Sequence, residues 1–311
     1  MYQLRNIYGY KSYLRWCDEP QPEDLSGDTE DAGDVMDGRW VVSSYPDLVD
    51  AVSFLTVMNK RLDLAYRGQE ELRPQVPTLF RGSWLPPWGG HGRVSIGNRD
   101  VCRSRLAQLG PLVFRICKQI GLPRWRTLQD LEQAQWAVIQ HYGLWPTPMI
   151  DLSRSLRVAA TFALRERASE PAADDALITG NLFVAGVPNR SGSITCSLDD
   201  QMLVAALSSV CPPAARRPHL QDGLLVSRFP TVGVAASEVG KNDLRLRTVA
   251  HIKLVDRSRS KGFWSNDFPR LSRHSLMPTK ENDPLLKAFE DWIEYVPTSA
   301  GAVDWCARMS S

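Results

Sequence analysis

Hydrophobic positions along this chain switch between two periods, and the switches divide it into strands and helices. In 244–254 the residues Leu244, Leu246, Thr248, Ala250, Ile252 and Leu254 fall at every second position, which predicts a half-buried strand. Leu48, Ala51, Val52 and Leu55 recur instead at three- and four-residue spacing behind Ser44-Tyr-Pro-Asp47, a capping-box pattern, so a helix opens there. Residues 62–66 read as a strand ending at Arg67-Gly68. Two helices are expected near 99–120 and 127–141, the second opened by Thr127-Leu-Gln-Asp130 and closed by Gly143. A short extended piece at 147–152 leads into a helix at 156–168 with Ser155 as its N-cap. Further strands are expected at 178–187, 223–228 and 231–236, a helix near 200–210, and a last helix from Asp283-Pro284 to about 296. The pattern contains no internal repeat.

Breakers and charge refine this picture. The stretch 68–98 contains many Gly and Pro residues, with Trp84 and Trp88 among them, and reads as a long irregular excursion of the kind that serves function. Residues 18–38 hold nine carboxylates and no Lys or Arg, so they read as a mobile acidic loop or linker and a candidate docking segment for a partner protein. Setting those nine charges aside from a net charge of +2 leaves the remainder at +11, a basic body suited to polyanionic partners or to solvent counterions. The expected organisation is a short segment at 1–17, the acidic linker at 18–43, one domain at 44–296 and a tail at 297–311. With 311 residues, 43% of them hydrophobic, the chain can bury a sizeable core. It has neither an apolar run of membrane-spanning length nor a secretion-signal pattern at its start, so a cytoplasmic protein without a membrane partner is expected. The six cysteines form no Cys-x-x-Cys pair and no compact Cys/His group, which predicts reduced, mostly buried thiols and no structural metal.

Four ordered motifs carry a resemblance. They are Tyr66-Arg67-Gly68-Gln69 with Pro74-Gln75-Val-Pro77-Thr-Leu-Phe80-Arg81; Gln140-His141-Tyr142-Gly143 leading to Thr147-Pro148-Met-Ile-Asp151-Leu-Ser153 and Ala159-Ala-Thr-Phe162-Ala163; Arg217-Pro-His-Leu-Gln221-Asp222-Gly223; and His274-Ser-Leu-Met-Pro278. Together, over roughly 44–296, they resemble the FRG domain family, with tyrosine in place of the family's opening phenylalanine. That family resembles in turn the ADP-ribosyltransferase fold. The resemblance implies an α+β domain with a split β-sheet core and flanking helices, and NAD held as substrate. It also implies transfer of ADP-ribose to a nucleic acid or protein acceptor, an activity suited to a bacterial toxin or antiphage defence effector. In that scheme Arg67 and Ser153 hold NAD, Ser153 supports the arginine and binds the nicotinamide ribose, and Gln221 or Asp222 stands where a glutamate is usual.

The residue types fit such chemistry, and each has a plainer reading beside it. Arg67 at a strand end, with Gly68 allowing close backbone approach and Tyr66 and Gln69 alongside, can grip phosphate or ribose oxygens; alternatively it is a structural arginine paired with a buried carboxylate. Alternation puts Asp151 and Ser153 on one face, where Asp151 can orient Arg67 or face a positive charge developing on the ribose. Ser153 has capping as its alternative, although Ser155 is better placed for that. His141 and Tyr142 can stack on nicotinamide or bond its amide, or be satisfied structural groups. Gln221 can hydrogen-bond but brings no charge, so Asp222 or Asp151 must supply it, or the site binds without turning over. Arg216 and Arg217 are candidate acceptor or phosphate contacts. The basic run Arg257 to Lys261 before Phe263-Trp264 reads as a single-strand nucleic-acid surface or a solvated loop. Phe162, Ala159 and Ala163 read as core, and Gly223 as a tight strand start. Two further classes stay open: a non-catalytic nucleotide- or nucleic-acid-binding module, and a partner-binding component of a larger system.

Overall fold

The computed structural model describes residues 1–17, 31, 40–81, 83–84, 94–95, 99–164, 177–230, 240–257 and 262–295. The expectations for most of 18–38, for the greater part of 82–98, for the strand at 231–236, for the basic run at 258–261 and for the tail lie outside the described residues.

In chain order the elements are α1 (Tyr10–Trp16), β1 (Trp40–Val42), α2 (Tyr45–Met58), β2 (Asp63–Gln69), the short β3 (Ser83–Trp84) and β4 (Val94–Ser95), α3 (Arg99–Gln119), α4 (Glu132–Tyr142), β5 (Ile150–Ser153) and α5 (Leu156–Ala163). They continue with β6 (Leu177–Val187), β7 (Ile194–Ser197), β8 (Met202–Ala206), α6 (Leu207–Val210), α7 (Arg216–Leu220), β9 (Gly223–Arg228), β10 (Thr248–Arg257), α8 (Arg273–Leu276) and α9 (Pro284–Tyr295). Local chemistry accounts for many of the boundaries. Ser44 Oγ accepts from the Asp47 amide at the start of α2, and Ser155 Oγ accepts from the Val158 amide at the start of α5. Gly143, at φ 70°, closes α4 in the left-handed conformation that costs glycine nothing. Asp283 caps α9 through Oδ1, which accepts from the Leu285 and Leu286 amides at 3.1 Å each.

Several expected elements differ. Strand β2 continues through Arg67 to Gln69, so Arg67 lies within it, and α5 closes at Ala163 with Leu164 as its C-cap, short of the expected 168. Residues Trp125–Leu128 form a 3-10 turn, and α4 starts at Glu132 behind Leu131, which supplies no side-chain cap. The run near 200–210, expected as helix, is instead strand β8 and the one-turn α6, because β8 pairs along its whole length with β9 and all five of its residues are buried. The strand expected from 244 begins only at Thr248, since Asp243 caps a 3-10 turn over Leu244–Arg247 by accepting from the Arg245 amide.

The core is mixed α/β, a large open sheet in the order β1-β10-β6-β2-β5-β9-β8-β7 with flanking helices. All pairs are antiparallel except β1 with β10. The order divides into two well-laced halves. β2 runs beside β6 for seven residue pairs, and β5 beside β9 for four, but β2 and β5 meet only at Tyr66 and Ser153. Helices α2 and α5 pack on the first half with Leu182, Val184, Ile252 and Leu254, whereas α3 and α4 pack on the second with Leu203, Ala205 and Leu225. By alternation through the Tyr66–Ser153 pair these two helical layers lie on the same face. The opposite face buries Ala65, Ala185, Leu152, Leu224 and Val226 against Met1 and Leu244.

Helix α5 lies unusually close to the sheet. A Cβ on Gly68 would stand 1.8 Å from the Ala159 carbonyl oxygen, and one on Gly180 would stand 2.1 Å from that of Ala163. Glycines beneath and alanines above let the helix settle into contact. Phe162, expected in the core, is only partly buried.

Candidate functional site

Beyond the single pair that joins them, β2 and β5 diverge, and the functional side chains gather at this opening. Tyr66 and Gly68 face the α2/α5 layer, where Tyr66 packs in the core and burial, with Tyr45 nearby, raises its phenol. Between them Arg67 reaches across the gap, and its Nη1 donates to the Asp151 carbonyl oxygen at 2.6 Å. Burial lowers the guanidinium to about 10, with Arg81 and Arg73 adding to the effect and Asp151 opposing it, so Arg67 remains a cation at neutral pH. Its Nε is buried without a hydrogen-bond partner.

Asp151 lies at the centre. Its side chain is 38% exposed, so the carboxylate is open to a ligand from this side. Burial works to raise the carboxyl, but hydrogen bonds from His141 and Gln140 and the charge of Arg67 outweigh it and hold Asp151 below the ordinary carboxylate range. His141, 4% exposed on α4, places Nδ1 at 3.4 Å from Asp151 Oδ1. Burial, with Arg217 nearby, pushes the imidazole down despite Asp151, so it is neutral at pH 7 and turns its Nδ1–H to the carboxylate. Arg217 enters from α7. Burial lowers it and Asp151 raises it, its guanidinium sits 5.9 Å above the Tyr142 ring, and its Nε has no hydrogen-bond partner. Its backbone amide is fixed by Asp283, whose Oδ2 accepts both from Arg217 N and from the Tyr142 hydroxyl at 2.9 Å.

Other candidates serve the walls. Ser153 is buried and donates to the Gln221 carbonyl oxygen at 2.7 Å rather than to Arg67. The Gln221 amide donates to the Leu276 carbonyl at 2.8 Å and to Met277 Sδ, tying the end of α7 to the end of α8. Asp222, at φ 45°, is ion-paired with Arg154. Gly68 makes room for α5, a packing role in place of the expected close approach to a ligand. Gln69 Oε1 accepts from Gln75 Nε2 at 2.7 Å and shapes the turn behind β2. Tyr142 is buried with its hydroxyl on Asp283, and Arg216 is exposed.

Two residues at the opening were not singled out from the sequence. Arg81 shares the field of Asp151, and Gln140 Nε2 donates to Asp151 Oδ2 at 2.7 Å. Both stand inside the quoted motifs, as the last residue of one and the first of another, which was the available signal. Among the described residues no group of three or more His, Cys, Asp or Glu is placed to hold a metal ion. The described cysteines are free thiols; Cys117 and Cys211 are buried, whereas Cys17 and Cys196 are exposed, contrary to the expectation of mostly buried thiols. No helix among the described residues is long and apolar enough to cross a membrane.

The arrangement is an ionised carboxylate flanked by guanidinium cations, charges of both signs that suit a ligand carrying both hydroxyls and anionic oxygens. No curated protein and no solved structure matches the chain. The family model for the FRG domain matches residues 63–172, from the first residue of β2 through β5 and α5, the elements that bring Arg67, Gln140, His141 and Asp151 together: the chain carries an FRG domain.

Proposed function

We propose that the crevice takes NAD and that the chain is an NAD-dependent ADP-ribosyltransferase-like enzyme acting on a nucleic acid or protein acceptor, as a toxin or antiphage defence effector would. Arg67 and Arg217 meet the diphosphate as the cations beside Asp151. Asp151 faces the ribose. When the glycosidic bond breaks, its electron pair leaves with nicotinamide and the ribose carbon becomes cationic; a carboxylate already ionised stabilises that charge without reorganising. The acceptor then bonds to this carbon and releases its proton to water. The carrying observation is the meeting of Arg67 with Asp151 across the opening between β2 and β5.

A second reading, a binding module without turnover, is favoured by Gln221 and Asp222. The amide of the first is occupied by Leu276 and the carboxylate of the second by Arg154, so neither offers the charge usually supplied by glutamate. The test is incubation with labelled NAD and separate pools of DNA, RNA and protein, with released nicotinamide measured in parallel. Transfer abolished by Arg67→Ala supports the enzyme, and Arg67→Ala is expected to weaken NAD binding by roughly 30-fold or more, as loss of a bidentate charged contact implies. A rise in melting temperature with NAD but no nicotinamide release selects the binding module. An unchanged response in Arg67→Ala sinks both.

A further inference from the structure

The Asp151 carboxylate is held by a chain of groups that starts outside the crevice. Gln140 Nε2 donates to Asp151 Oδ2 at 2.7 Å, and Gln140 Oε1 accepts from the Thr147 hydroxyl at 2.5 Å. Thr147 is fully buried, its Oγ1 accepts from the Met149 amide at 3.2 Å, and its carbonyl accepts from the Leu79 amide at 3.1 Å. The hydroxyl proton points to Gln140 Oε1. An amide has one donating and one accepting end, and flipping it here would set oxygen against an ionised carboxylate, two acceptors with no proton between them. The carboxylate therefore sets the orientation of the amide, and the Thr147 hydroxyl donates to the oxygen that this leaves facing it.

We propose that Gln140, braced by Thr147, is a positioning residue that fixes the Asp151 carboxylate and keeps it an anion. What Asp151 then does for a ligand rests on the nucleotide reading above; the relay itself is a property of the free protein. The charged and titratable groups facing Asp151 are His141 from α4, Arg67 from β2, Arg217 from α7 and Arg81 from the turn after β2. Gln140 is the uncharged donor among them, and its amide makes the shorter of the two side-chain contacts to the carboxylate, 2.7 Å against 3.4 Å for His141.

The discriminating variant is Gln140→Glu. A protonated glutamic acid has the same donating and accepting ends as the amide, whereas an ionised one repels Asp151, so the variant should behave as wild type only while it holds its proton. The Asp151 titration is followed in free protein by carbon NMR of labelled aspartate carboxyls, with circular dichroism verifying the fold. Gln140→Leu and Thr147→Val should each move the Asp151 midpoint upward by about one pH unit. In Gln140→Glu the two carboxyls should share one proton to a distinctly higher pH, and NAD binding should persist at about pH 5.5 and fail at about pH 8. An Asp151 midpoint the same as wild type in these variants overturns the relay, whether or not Gln140→Leu proves stable enough to measure. If the midpoints move as stated but wild-type protein does not bind NAD, the relay stands and the nucleotide reading falls.

Discussion

At the scale of single residues, the crevice is governed by how protons are shared around Asp151. His141 is held below its ordinary value mainly by burial, so the unfolded chain binds its proton more readily than the native one. The resulting stability is complete above the unfolded value of about 6.5 and is lost as pH falls through the depressed native one. Asp151, also depressed, adds a second loss at lower pH of the same sign. The wild-type melting temperature should therefore fall between about pH 7.5 and pH 5, and His141→Asn should flatten that limb. Equal slopes in wild type and variant would show that His141 does not titrate where its surroundings require.

At the scale of elements, the contact between α5 and the sheet decides how tightly the first half of the molecule closes. Gly68→Ala puts a methyl where the Ala159 carbonyl now lies, and the helix must lift. A loss of about 2 kcal/mol or more is expected, read from chemical denaturation, while Gly262→Ala, whose new atom meets its nearest neighbour at 3.5 Å, should stay close to wild type. The start of helix α5 was legible in the sequence, since Ser155 caps it where position predicted and Ala159 and Ala163 form the packed side. Strand β8 was not. A short apolar run does not report its period, and only the bonds to β9 select the extended form over the helical one. The candidate site divides the same way. Arg67, Asp151 and His141 were named from residue type and motif, but that Gln221 spends its amide on Leu276 depends on a fold-back of 55 positions, which no local pattern encodes. Gln140 was hidden by its chemistry, for a neutral amide draws notice only once its partner across 11 positions is known.

For the whole molecule, Asp283 joins regions that the sheet does not. Fully buried, it accepts from the Tyr142 hydroxyl, the Arg217 amide and the first amides of α9, so α4, α7 and α9 converge on one carboxylate. Asp283→Ala leaves those donors buried without acceptors, and a loss of about 3 kcal/mol in unfolding free energy is expected, with faster hydrogen exchange throughout α9. A loss below about 1 kcal/mol would show that water replaces the carboxylate.

The lone Tyr66–Ser153 rung makes the backbone resemble two stiff plates sharing a narrow isthmus. A molecule gripping both Arg67 and Asp151 would reinforce the strut that the Arg67 guanidinium already sets across the fissure.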